Sequence, residues 1–307
     1  MFVTWDEAFI DAGAQAHVYC VTRPGTREFV ACKVFNENVL DSRFLYGRES
    51  WFLQFLQDCR HVVRLASCVP PNFKHHPYVL YLEYAHGRDL YYLRKHLKQC
   101  VTCDQWEGTM KIIVRQLIEA LHDIHEKGVV HFDVKLENVL LLNTAEGPIN
   151  VALADFGYAC LQWETPEQAY GTAAYVPPER RAPNLRSDPI TAADMWAVGV
   201  LLLLALGPDE HTTPESIVLC ADAFWEENKN AASQSWQAFT RQLLHPDPRE
   251  RMTAKQALQH EWLAGEPSPI PPASDAFRAS DHAASVDDGV PVQQNRKREC
   301  STQQKCA

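Results

Sequence analysis

The segment His131-Phe132-Asp133-Val134-Lys135-Leu136-Glu137-Asn138 and the later triplet Asp155-Phe156-Gly157 constrain this chain more than any other feature. An acid, a lysine and an amide stand at positions 133, 135 and 138, and a second acid follows at 155. These groups can act together only in a fold that brings both segments to one place. Between them lie Val139 to Leu142 and Asn150 to Leu153, short pieces rich in Val and Leu that predict a small hairpin. Such a hairpin returns the chain on itself and sets Asp155 near Asn138. The chemistry that suits the set is phosphoryl transfer, which needs neutralised charge, in-line geometry and a group that orients the attacking hydroxyl. Asp133 can accept a hydrogen bond from an alcohol, and Lys135 can steady charge on a moving phosphate. Asn138 and Asp155 offer oxygens to a hard cation such as Mg²⁺.

The rest of the chain divides by its periodicity. Up to about residue 84 it predicts strands with one helix. Phe29 to Phe35 is an apolar run broken by Lys33, as in a buried strand, and Pro77 to Tyr84 is another. From Asp41 to Asp58 the large apolar residues recur at helical spacing. Beyond residue 85 the pattern turns helical, with predicted helices over Met110 to His125, Thr191 to Leu206, Phe239 to Leu244 and Ala254 to Trp262. Met195 to Leu206 is the longest apolar run, too short for a bilayer, and predicts a buried core helix. After about residue 265, prolines give way to Ser, Asp, Gln and Ala with few large apolar residues, which predicts a disordered tail. The basic cluster Arg296-Lys297-Arg298 in that tail is read as solvated charge, with a nuclear address as the alternative.

Bulk properties exclude some functions. A formal charge of −10 argues against a nucleic-acid binder led by a basic surface. The first residues, Met1 to Glu7, lack a basic stretch before an apolar core, so no secretory signal is expected. The ten scattered cysteines then fit reduced thiols, in the cytoplasm or nucleus. Cys100-Val101-Thr102-Cys103 is a lone pair without two further ligands nearby, and is read as a plain loop rather than a zinc site.

In order and spacing these residues resemble the eukaryotic protein kinase superfamily, over about residues 8 to 264. The resemblance implies an α+β, two-lobed fold: a small β-rich N-lobe over 1–84, a larger mainly helical C-lobe over 85–264, and the tail 265–307. Lys33, in Val30-Ala31-Cys32-Lys33, looks like the strand lysine that holds the α- and β-phosphates of ATP, with Glu49 as its ion-pair partner. Glu83-Tyr84-Ala85 would be the hinge, behind which Leu82 guards the adenine pocket. Val18, Ala31 and Leu140 match the apolar sandwich around adenine, and Asp89 the acid near the ribose. Gly171 to Glu179 looks like the end of the activation segment, with Pro177 in place of the usual alanine. Asp194 would brace the catalytic-loop backbone, and Arg251 would pair with Glu179. The implied cofactors are ATP and Mg²⁺, with Mn²⁺ as an alternative metal. The implied partners are proteins with Ser or Thr acceptors, with no nucleic acid and no membrane. Lys135 and Thr172 mark the Ser/Thr type, and Glu137 with Asp89 suggests a preference for basic residues before the acceptor.

Two departures stand out. The glycine-rich loop reads Asp11, Gly13, Ala16 and Val18 at its key positions, so only its middle glycine remains. Asp11 adds a carboxylate near a polyanion, and Ala16 a Cβ where φ is expected to be positive, which together predict weakened nucleotide binding. Phe132 replaces the arginine that in the family binds an activation-segment phosphate. The favoured acceptor positions hold Glu167 and Gln168, so the arginine and its acceptor are missing together. Thr165 and Tyr170 are the remaining candidate sites in that segment. The expectation is a kinase whose shape does not depend on phosphorylation there. The alternatives are a pseudokinase acting as a scaffold, supported by the degraded loop, and a small-molecule phosphotransferase, opposed by the Gly171 to Glu179 platform.

Overall fold

Alternation along Ala16–Thr22, Phe29–Phe35 and Val79–Glu83 fits strands with one face turned inward. The structure is a computed structural model that describes residues 8–12, 15–23, 25–36, 42–69, 78–143, 148–164, 171–181, 189–207, 225–226 and 231–264. The strands β1 (Ala8–Ala12), β2 (Ala16–Thr22), β3 (Phe29–Phe35), β4 (Leu65–Val69) and β5 (Val79–Glu83) form one sheet in the order β1-β2-β3-β5-β4. Each neighbouring pair is antiparallel. Helix α1 (Ser42–Phe55) connects β3 to β4 and turns Leu45, Tyr46, Phe52 and Leu53 inward. Glu49 lies on that same buried face, a charge placed where the pattern calls for an apolar residue.

The remainder is mainly helical. Helix α2 (Leu90–Leu97) starts at Asp89, whose carboxylate accepts the Tyr92 N–H. Helix α3 (Cys103–Glu126) begins in a capping box between Thr102 and Gln105 and buries Ile113, Leu117, Leu121 and Ile124 at helical spacing. Helix α4 (Ala192–Leu206) is apolar on every side, and all of it except Leu204 is buried. A helix with no polar face has to lie inside the packing, and α4 does so against Gln234–Leu243. The short helices Ala254–Leu258 and Glu261–Ala264 pack on α3. One continuous core joins Phe35 and Leu80 near the sheet to Leu121, Leu201 and Trp262 among the helices. The fold is α+β, a β-sheet lobe followed by helical content. Among the described residues no helix is long and apolar enough to cross a membrane.

Between α3 and α4 the backbone carries the site. Strands β7 (Val139–Leu141) and β8 (Val151–Leu153) pair antiparallel as the predicted hairpin. Just beyond the hairpin, Ala154 N–H donates to Asn138 O at 2.9 Å, which fastens the end of one segment to the end of the other. Strand β6 (Val129–Val130) pairs with β9 (Cys160–Leu161) on the other side of the loop.

Several expectations need correction. Helix α3 starts at Cys103 rather than Met110, because the capping box ends the chain's freedom at Thr102 and Trp106 is buried, its indole donating to Ala205 O at 3.1 Å. Cys103 therefore opens a helix and Cys100 closes a 3₁₀ turn, so Cys100 to Cys103 is not a plain loop. The stretch Ala254 to Trp262 breaks after Leu258, where His260 Nδ1 takes the Trp262 N–H at 3.1 Å. Ala16 has no positive φ: it lies within β2 opposite Phe35, where extended backbone suits alanine, so the strain expected there is absent. The tail 265–307, Thr165, Glu167, Gln168 and Tyr170 lie outside the described residues.

Candidate active site

The loop from His131 to Asn138 is held from behind before it presents anything forward. Asp194, fully buried at the start of α4, accepts the His131 N–H at 2.9 Å and the Phe132 N–H at 2.8 Å. His125 Nε2 meets the same carboxylate at 2.9 Å. Burial opposes charge on Asp194, but the His125 contact and the His131 N–H outweigh it, and its pKa lies below the ordinary carboxylate value. His131 is buried, sits edge-on to Phe156 at 4.7 Å, and faces Ala154 O at 3.0 Å through Nε2. Burial lowers its pKa, so the ring is held neutral.

In front, three side chains converge on Asp133. Lys135 Nζ lies 2.7 Å from Asp133 Oδ2 and 3.1 Å from Thr172 Oγ1. Thr172 donates both its N–H, at 2.9 Å, and its hydroxyl, at 2.8 Å, to Asp133 Oδ1. Asn138 Nδ2 donates to Asp133 O at 2.8 Å and to Oδ2 at 3.0 Å. With its amide nitrogen committed to Asp133, Asn138 keeps its amide oxygen for another partner. Asp155, next to the hairpin, has φ +66, an uncommon conformation for a residue with a side chain.

Lys33 links the sheet to this floor. Its ammonium lies 2.8 Å from Glu49 Oε2, 3.0 Å from Oε1, and 2.9 Å from Asp155 Oδ1. Burial alone would favour loss of the Lys33 proton, but the Asp155 and Glu49 carboxylates outweigh it and hold the lysine charged. Burial likewise opposes charge on Asp155, yet Lys33 prevails and the pKa falls below the usual carboxylate range. Two carboxylates share one ammonium here, so a net negative charge remains. The deeper acid, Glu49, answers by gaining proton affinity: burial pushes it up to about 7 against the pull of Lys33.

The remaining predicted residues lie on the sheet, on the hairpin and at the start of α2. Val18 pairs with Lys33 across β2 and β3, and Ala31 pairs with Leu82 across β3 and β5. Ala31 and Leu140 are partly buried against the core, and Leu140 bridges to Asp89. Asp89 caps α2 with one oxygen. Burial raises its pKa against the Tyr92 N–H, and the Glu137 and Asp11 carboxylates add to the rise. Glu83 donates its N–H to Arg64 O at 2.9 Å and accepts the Arg64 N–H at 2.6 Å. Gly13 lies outside the described residues. Asp11 is exposed in β1, and its carboxylate accepts the Ala12 N–H at 2.8 Å.

Some contacts have no local signature. Gln15 Nε2 reaches the Tyr158 hydroxyl at 2.5 Å, tying the β1–β2 turn to the turn after Asp155. Arg48, beside Glu49 on α1, donates Nε to Ala159 O and Nη2 to Glu164 at 2.8 Å. His125 is one of 13 histidines and nothing in its sequence neighbours singles it out. The expected pair of Arg251 with Glu179 does form, through both terminal guanidinium nitrogens at 2.7 and 3.0 Å, and Arg251 lies over Trp196.

The family model described as protein kinase domain matches residues 6–263. Serine/threonine-protein kinase 17A of Oryctolagus cuniculus is 30% identical over 260 residues, covering 80% of this chain and 62% of that protein. The meiosis-specific serine/threonine-protein kinase mek1 of Schizosaccharomyces pombe is 25% identical over 279 residues, covering 84% of this chain and 58% of its own length. The chain thus spans about three fifths of the length of the curated relatives it matches.

Proposed function

The chain belongs to the protein kinase domain family, and from that premise we propose that it is an active serine/threonine kinase, transferring the ATP γ-phosphate to Ser or Thr hydroxyls of proteins. The observation that carries this reading is the convergence on Asp133: Lys135, Thr172 and Asn138 all bond its carboxylate, and Asp155 follows the Ala154 whose N–H is fastened to Asn138 O. The donor set fits a divalent cation. Asn138 has an amide oxygen to offer and Asp155 a second carboxylate oxygen beside the one facing Lys33, both hard ligands of the kind Mg²⁺ takes. When bound there, Mg²⁺ or Mn²⁺ would neutralise charge on the phosphate oxygens.

The chain's own groups do the rest. Asp133 accepts the acceptor hydroxyl's hydrogen bond and aims its oxygen at the γ-phosphorus. As the new O–P bond forms and the bond to the β-phosphate oxygen breaks, the hydroxyl proton passes to Asp133. Lys135, 2.7 Å from that carboxylate, steadies charge on the phosphoryl oxygens. Lys33, held by Glu49, positions the α- and β-phosphates. Val18, Ala31 and Leu140 would enclose the adenine, with Leu82 behind it and Asp89 toward the ribose. Exposed Glu137, with Asp89 as a second acid, favours substrates with basic residues before the acceptor. Phe132 offers no donor for a phosphate, which supports activity independent of activation-segment phosphorylation.

The alternative, a scaffolding pseudokinase, is favoured by exposed Asp11 in place of the first loop glycine. Radiolabelled ATP, Mg²⁺ and a basic acceptor protein separate the two readings. Label in the acceptor with the wild type and none with Asp155→Ala supports the enzyme. No label with either overturns it in favour of the scaffold. Loss of label after phosphatase treatment, reproduced by Thr165→Ala, overturns the phosphorylation-independent part.

A further inference from the structure

Phe132 is gripped on more sides than an arginine's replacement needs to be. It holds φ +64, a backbone conformation that bulky residues rarely adopt. Its N–H donates to Asp194 Oδ1 at 2.8 Å. Its carbonyl lies directly under the segment that carries Thr172. A Cβ added to Gly171 would come within 2.1 Å of Phe132 O, and Gly171 itself has φ +100. Only glycine permits that crossing. The ring is 9% exposed and packs with Val130, Cys160, Ile190 and Ala193. Over the ring, 4.2 Å from its centroid, lies the guanidinium of Arg180. Arg180 follows Glu179, which Arg251 anchors, so the cation comes from a fixed point at the end of the segment.

Asp133 and Thr172, whose two bonds complete the floor, stand next to Phe132 and Gly171 respectively. Whatever fixes the crossing of Phe132 and Gly171 therefore fixes the orientation of Asp133. A cation over an aromatic face is attractive, more so when both are partly removed from water.

Resting on the kinase reading above, we propose that Phe132 and Arg180 are positioning residues: their cation–π contact fastens the segment 171–181 onto the catalytic loop and so sets the Asp133–Thr172 geometry. The contact gives this chain a built-in fastening where a phosphate bound by an arginine would otherwise act. The cation is retained, but it is carried by the segment rather than by the loop.

The test uses the full chain after phosphatase treatment, with Phe132→Leu, Phe132→Tyr, Arg180→Gln, Arg180→Lys and the double variant Phe132→Leu/Arg180→Gln. Phe132→Leu keeps an apolar plug but removes the ring face. It is expected to lower kcat about tenfold and leave the KM for ATP within about twofold. Phe132→Tyr should recover most of the rate. Arg180→Gln should match the loss and Arg180→Lys should recover part of it. The double variant should lose less than the product of the two single losses, since both singles remove the same contact. A pair of single variants within about twofold of wild-type kcat, or losses that multiply in the double variant, would overturn the proposal. Because Arg180 is only partly buried, Arg180→Gln reports even if Phe132→Leu fails to fold. If the wild type transfers no phosphate, it is the kinase reading that fails. The contact is then measured by the same cycle on thermal midpoints, where additive shifts would reject it.

Discussion

The floor of the cleft and its roof are built to different standards. On the floor, Asp133 is reached by Lys135, Thr172 and Asn138, its loop is tied back to Asp194, and Asn138 O is tied to Ala154. Each bond restrains a group that another bond also restrains. At the roof, Asp11 and Ala12 are exposed, and Gln15 to Tyr158 is the side-chain bond that joins this turn to the floor. The comparison teaches where tolerance lies. The proposed chemistry depends on a few atoms placed to within tenths of an ångström, whereas phosphates held by backbone and metal leave the roof free to vary.

The comparison breaks first at the floor. Asp133→Asn should reduce phosphate transfer by about a thousandfold or more while the melting temperature moves little, because the amide keeps the shape and loses the proton acceptor. Transfer at a tenth of the wild-type rate would mean that Asp133 is not the group that orients the hydroxyl. Next in size is Glu179→Ala, which strands the buried Arg251 guanidinium and should destabilise the fold by about 3–5 kcal/mol in a denaturant titration. A loss near zero would show that the pair is solvated.

Glu49 holds Lys33, which reaches Asp155 on the floor, and its effect is pH-dependent. Its pKa is raised from 4.5 to about 7, so the folded chain binds a proton that the unfolded chain has released. Its contribution to stability is therefore full below about 4.5 and is lost as pH rises through about 7. Activity runs the other way, because only ionised Glu49 holds Lys33 by a full ion pair. The kcat/KM for ATP should fall as pH drops through about 7, and Glu49→Gln should remove that limb at a rate lower by about tenfold or more. An unchanged limb in the variant assigns the titration elsewhere.

Smaller effects belong to the roof. Gln15→Ala should raise the KM for ATP about threefold with kcat preserved, the size expected for one lost hydrogen bond. A fall in kcat instead would place Gln15 with the floor. Asp11→Gly should lower the KM for ATP about twofold, since one exposed carboxylate is well screened. Higher ionic strength should erase that difference, and a difference that survives salt would point to backbone freedom instead.

Legibility followed the range of the interaction. Strand β3, the β7–β8 hairpin and the buried α4 were plain from periodicity because each is decided by neighbours in the chain. Misplaced boundaries came from local bonds that outweigh periodicity: the Thr102 and Gln105 box extends α3, and His260 splits the last helix. Ala16 was judged by a family position, but the register of β2 against β3 decides its backbone. Helix α2 carries polar residues that hide its period, and its start is marked by the Asp89 cap.

By itself the sequence determined the kind of chemistry and the order of its parts, because Asp133, Lys135, Asn138 and Asp155 carry their identities in spacing that a short hairpin can close. The tertiary structure alone decided which further distant groups hold those parts still: His125 on Asp194, Arg48 on Ala159, Gln15 on Tyr158 and Arg180 over Phe132. The physical reason is that spacing along a chain fixes only what the next few bonds can reach. Contacts between residues far apart depend on how every intervening element packs, and no single residue type announces them.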